Sequence, residues 1–141
     1  MRKHMKSYQQ VNKEGGLLAA DPHIVISMLF NGVFESLSIA KGSIERKDLE
    51  SKSKNISKAV NILRSLQDSL DVESQPEISA TFYNLYDYCI GRLVESSVKL
   101  NIEYIDEVVS LLKPLSDAWK NIPEEEKKKG LELLKEKSAN S

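Results

Sequence analysis

Apolar residues in this chain recur every three or four positions, and no strand-length run alternates at period two, so the pattern predicts helices and no sheet. The densest stretch is residues 22–44, PHIVISMLFNGVFESLSIAKGSI. On a helical wheel at about 100° per residue it is apolar almost all the way round. Ile24, Met28 and Ile39 share one side, and Val25, Leu29, Ala40 and Val33 follow them. Ile26, Ile44, Leu37, Phe30 and Phe34 continue the arc, which leaves only Ser27, Asn31, Glu35, Ser38 and Gly42 as a narrow polar strip. A surface helix buries a stripe of about 100° or a little more, so this one needs cover on several sides. Asp21 can cap its free amides, and Pro22 at the first helical position gives up no needed donor. The helix is expected to run to about Arg46.

Three further helices follow. After a polar link at Lys47 and Asp48, Leu49, Ile56, Ala59, Val60, Leu63, Leu66 and Leu70 mark a second stripe of ordinary width, with Ile62 just outside it. DVESQP at 71–76 reads as a turn, and Glu77 suits the positive end of the next helix. That helix, ending near Leu100, carries Ile78, Phe82, Leu85, Tyr86, Cys89, Leu93 and Leu100; Tyr83, Ile90 and Val94 widen its apolar arc to one side. Past Asn101, a fourth helix to about Ile122 packs through Ile105, Val108, Val109, Leu112, Leu115 and Trp119. Pro114 interrupts this pattern, but the stripe resumes after it, which predicts a kink rather than an end. Four long helices with short links predict an all-α, antiparallel up-down four-helix bundle over residues 21–122. Residues 1–20, with Met5, Tyr8 and Val11 at helical spacing before Gly15-Gly16, are expected to form a mobile leader with a short helical segment. Residues 123–141, through the EEEKKK run, are expected to be a flexible or weakly helical tail.

Composition narrows the function classes. A chain of 141 residues is long enough for one domain with its own core. The net charge of −1 gives no general attraction to nucleic acid, and none is expected as a partner. The single cysteine, Cys89, excludes an internal disulfide and fits a reducing compartment, so a cytoplasmic setting is expected. No uninterrupted run reaches about 18 apolar residues, and no membrane insertion is expected.

The residues offer little for catalysis. His4 and His23 have no Cys, His or paired carboxylate at metal-ligand spacing, and His23 reads as a partly exposed first-turn residue. Cys89 lies on a core stripe and has no partner base. Tyr83, Tyr86 and Tyr88 with Arg92 are at helical rather than base-stacking spacing. Neither an enzyme nor a cofactor or metal is expected. What remains is surplus apolar surface on the first and third helices. It is either covered by snug loops or open as a groove for a partner's amphipathic helices.

The segment DPHIVISMLFNGVFESLSIAKGSI, followed by KNISKAVNILRSL, NLYDYCIGRL and DEVVSLLKPLSDAWKNI, resembles the flagellin-specific export chaperones of the FliS family in order and spacing, over about residues 5–122. The resemblance implies a small cytoplasmic helical bundle, without catalysis. Its implied partner is the disordered C-terminal region of flagellin, which it keeps from polymerising prematurely and helps deliver to the type III flagellar export apparatus. Ile24, Met28, Leu29 and Gly32 match the first-helix signature of that family. Lys58, Ala59, Ile62 and Leu66 match the second, and Leu85, Tyr86, Asp87 and Tyr88 the LYDY motif. Motif residues Ile24, Met28, Leu29, Ile62, Leu66 and Tyr88, together with Tyr83, Ile90 and Val94 from the surplus apolar arc of the third helix, are the flagellin-contact candidates. Met5 and Tyr8 match the apolar-x-x-Tyr of the family's N-terminal segment, and with Val11, at the same helical spacing, they are the candidates to cover the groove or to meet a flagellar export-gate protein. The chain departs from the pattern with Asp21 for a serine, Gln75-Pro76 for a Gly-Gly, Cys89 and Gly91 for Met and Arg, and with Pro114. A generic helical adaptor for another amphipathic segment is the alternative reading.

Overall fold

The computed structural model describes residues 21–122, in four helices. They are α1 (Pro22–Glu45), α2 (Leu49–Asp68), α3 (Pro76–Lys99) and α4 (Ile102–Lys120). Polar side chains set their starts. Asp21 Oδ1 accepts from the backbone N–H of His23 at 3.0 Å, capping α1. Asp48, a link residue in the sequence pattern, caps α2 by accepting from Ser51 N–H at 3.1 Å. Pro76 opens α3 with Glu77 in its first turn, and Asn101 Oδ1 accepts from Glu103 N–H at the start of α4. Two links turn through left-handed backbone without glycine, at Lys47 (φ 58°) and Leu100 (φ 54°). At the second, the N–H groups of Leu100 and Asn101 both reach Ser96 O, which satisfies an end carbonyl of α3.

The described chain divides into two compact units. One is Leu29–Lys113; the other takes in the described parts of Met1–Met28 and Pro114–Ser141. In the larger unit each helix runs antiparallel to its neighbours. Ser43 Oγ meets Ser51 Oγ at 2.7 Å near one end of α1 and α2, while Gly32, further back on α1, faces Ile62, further along α2. Lys52 Nζ donates to Ser97 O at 2.9 Å, and Gln67 Nε2 to Tyr83 O at 3.2 Å, so α2 and α3 run in opposite directions. Arg92 with Glu107 and Lys99 with Tyr104 do the same for α3 and α4. Lys41 with Asp106 and Phe34 with Lys113 close α4 against α1. This is the expected up-down bundle.

Its core holds Val33, Leu37 and Ala40 of α1, Ala59, Leu63 and Leu66 of α2, Cys89 and Leu93 of α3, and Ile105, Val108 and Leu112 of α4. Among the described residues, α1 alone would qualify as a membrane span by length and mean hydropathy, a property that counting uninterrupted apolar runs does not register. The helix is partly buried: Ile24, Met28 and Ile39 are exposed, while Val25, Phe30, Val33, Leu37 and Ala40 are in the core. Lys52 is also buried. Its ammonium sits at the last turn of α3, where a positive charge complements the helix dipole. Leu49, Ile78 and Leu100, read as stripe residues, are instead exposed, because each lies in a terminal turn where neighbouring helices no longer cover it. α4 continues through Pro114 without an end, as the resumed stripe predicts.

In the smaller unit the first turns of α1 and the last turns of α4 meet. The His23 and Trp119 rings stack with centroids 5.2 Å apart and planes 15° from parallel. Val25 and Ser116 are buried beside them in the chain. The expectations for Met5, Tyr8 and Val11, and for the tail, fall outside the described residues.

Candidate functional site

A bundle whose core is already full leaves some apolar side chains in water, and these are the site candidates. In the smaller unit, Ile24 and Met28 stand one turn apart on the same side of α1, 37% and 41% exposed. In the larger unit, Tyr83, Val94 and Val98 share one side of α3, since offsets of 11 and 4 residues return to nearly the same wheel position. Val98 is 78% exposed. The Gln67–Tyr83 and Lys52–Ser97 hydrogen bonds put α2 on this flank of α3. Tyr88 is equally open but points the other way, toward α4. The candidates therefore lie on separate edges rather than on one continuous face of α3.

Three candidates are not on the surface. Ile62, Leu66 and Ile90 are buried, so they belong to the core of the described structure and Leu29 is only half-exposed. Ile62 was placed just outside the stripe of α2, but Gly32 opposite has no side chain. A Cβ there would come within 3.0 Å of Ile62 Cδ1, so the glycine makes the slot that Ile62 fills. Ile90 lies in the same wheel arc as Tyr86 and Leu93, which face the core. Leu66 was already a stripe residue. Conversely, Ile39 and Val98 are exposed and were not among the candidates, although Ile39 shares the wheel side of Ile24 and Met28, and Val98 follows Val94 by one turn.

Tyr88 is held by a polar network between α3 and α4. Its hydroxyl donates to Glu107 Oε2 at 2.8 Å, and Arg92 Nε donates to Glu107 Oε1 at 2.6 Å. The Arg92 guanidinium lies 4.0 Å over the Tyr104 ring, and Lys99 extends the network through Glu95 and Tyr104. The Arg92 and Tyr88 hydrogen bonds hold the Glu107 carboxyl below its usual range, and the bond to Glu107 raises the Tyr88 phenol. Such an edge offers an aromatic face whose polar end is already satisfied.

No group of three or more His, Cys, Asp or Glu that could hold a metal lies among the described residues. Burial pushes the Cys89 thiol up to about 11, the opposite of what a nucleophile needs. His23 Nε2 contacts Trp119 O at 2.6 Å; a carbonyl only accepts, so that nitrogen carries the proton. The arrangement is equipped to bind apolar and aromatic groups along helix edges.

Comparison with known proteins gives the same direction. The family model described as flagellar protein FliS matches residues 4–126. The chain is 38% identical to the flagellar secretion chaperone FliS of Salmonella typhimurium over 119 residues, 84% of this chain and 88% of that protein. It is 38% identical to the flagellar secretion chaperone FliSB of Pseudomonas aeruginosa over 120 residues, 85% and 95% of the two chains. With the FliS of Bacillus subtilis it shares 33% over 122 residues, 86% and 87%.

Proposed function

Since this chain belongs to the FliS family of flagellar secretion chaperones, which are not enzymes, we propose that it binds the C-terminal segment of flagellin. The segment folds as amphipathic helices along the exposed apolar edges of the bundle. The observation that carries this reading is the pairing of a filled core with open apolar side chains at helical spacing, Ile24 and Met28 on α1 and Tyr83, Val94 and Val98 on α3. Rows of this kind accept the i, i+4 anchors of a partner helix. Each such side chain contributes about 1.5–3 kcal/mol when fully buried. Ordering a disordered segment takes back about 2–5 kcal/mol or more, which keeps the complex releasable. While bound, flagellin is kept from polymerising in the cytoplasm, and the complex is delivered to the type III flagellar export apparatus. Met5, Tyr8 and Val11 are the residues proposed to meet an export-gate protein or to cover the groove in the free chaperone.

Calorimetric titration with the C-terminal segment of flagellin from the same organism tests the reading. One-to-one binding, a negative heat-capacity change and gained helicity are expected. Folded protein that ignores this segment but captures another amphipathic helix would make it an adaptor instead.

A further inference from the structure

The His23–Trp119 pair is more than a ring contact. While His23 Nε2–H donates to Trp119 O at 2.6 Å, Trp119 Nε1–H donates back to His23 O at 2.9 Å. Each residue thus holds the other's backbone with its side chain, and the two rings stack between these bonds. Asp21 Oδ1 holds the N–H of His23 at 3.0 Å, and Ser27 Oγ donates to His23 O at 2.9 Å. His23 is therefore tied at its amide, its carbonyl and its ring. Trp119 O is also one of the last carbonyls of α4; the N–H of Ile122 reaches it at 3.4 Å, and His23 adds a shorter side-chain bond to this helix end. A helix end with so many ties is fixed in rotation about its own axis, and Ile24, the next residue, is fixed with it.

We propose that His23 and Trp119 are positioning residues of the flagellin-binding surface: their reciprocal clasp sets the rotation of the first two turns of α1 so that Ile24 and Met28 are presented as one edge. This rests on the binding function proposed above and adds which residues set its geometry. Neither clasp residue needs to touch the ligand. Without the clasp the first turns of a helix fray readily, and two apolar side chains one turn apart no longer offer a pre-formed pair of anchors.

The test is a calorimetric binding cycle on the full chain with the C-terminal flagellin peptide. Trp119→Phe keeps a ring for stacking and deletes the indole donor; His23→Ala deletes the ring and its donor. Each is expected to weaken binding roughly three- to tenfold, the equivalent of one or two lost hydrogen bonds. In an Ile24→Ala/Met28→Ala background the same changes are expected to alter affinity by no more than about twofold, because the side chains they position are gone. A purely structural role would give the same loss in both backgrounds, and that result would overturn the proposal. So would unaltered affinity of both clasp variants in the wild-type background. If His23→Ala does not fold, Trp119→Phe closes the cycle alone. Wild-type protein that does not bind the peptide removes the proposed function itself and this inference with it. That result is plainly different from a wild type that binds with an insensitive clasp.

Discussion

At the residue scale, Glu107 ties the α3 and α4 helices together by accepting from Tyr88 and Arg92 at once. The two bonds respond to pH in opposite directions. The Glu107 carboxyl is held below its usual range, so the folded state binds fewer protons there than the unfolded state in the acid range. Its contribution is fully present above the unfolded carboxylate value of about 4.3 and is lost as pH falls through the folded one. The Tyr88 phenol is raised, so its contribution is present below about 10 and is lost as pH climbs past that. Glu107→Gln is therefore expected to flatten the acid limb of a stability–pH profile measured by urea unfolding between about pH 2 and 5. An acid limb as steep as that of wild type would mean the network adds nothing. Such a network was not legible in the sequence. Glu107 lies 15 residues from Arg92 and 19 from Tyr88 across the link, and only the register of α3 against α4 brings it within bonding distance of both.

At the element scale, α3 carries an open apolar edge, Tyr83, Val94 and Val98, and also a glycine. Gly91 sits on the exposed flank of the helix, and a Cβ built there meets no heavy atom within 4 Å. A mid-helix glycine costs about 1 kcal/mol relative to alanine. Gly91→Ala is therefore expected to stabilise the fold by about 1 kcal/mol, seen as a rise of a few degrees in the thermal midpoint. Gly91 also lies near the Tyr83–Val94–Val98 side of α3, so the same variant shows whether a partner approaches the backbone there. A stabilised protein with weakened flagellin binding would mean that it does. Helix positions and most of their stripes were legible because burial repeats at 3.6 residues and the links are short. The wheel failed where a neighbour, not the helix itself, sets exposure. Ile62 is buried because Gly32 on another helix makes room for it, and Leu49, Ile78 and Leu100 are open because the bundle stops covering terminal turns. Asp48 likewise looks like any polar link residue until Ser51 N–H is seen bonded to it.

For the whole molecule, a chaperone of this design needs its stability and its binding surface to be independent. A partner that folds on the surface must not draw on side chains that hold the bundle together. Neighbouring residues of α3 show the separation most directly. Leu93 is fully buried, whereas Val94 is 51% exposed and Val98 more open still. Leu93→Ala removes buried methyl groups and leaves a cavity, at about 2–5 kcal/mol. Against a total stability of about 5–15 kcal/mol that is a large fraction. Val94→Ser and Val98→Ser change exposed positions with little packing to lose, so each is expected to shift unfolding free energy by about 0.5 kcal/mol or less. Their effect should appear in titration with flagellin. There each removed anchor forgoes part of the roughly 1.5–3 kcal/mol available on burial, a loss of several-fold or more in affinity per site. Chemical unfolding and calorimetry on the three variants give the answer. If the serine variants unfold as wild type does and bind more weakly, the edge of α3 is a binding surface laid over an independent core. If they bind as tightly as wild type, flagellin uses other edges, and the apolar row on α3 is surface that the bundle simply left uncovered.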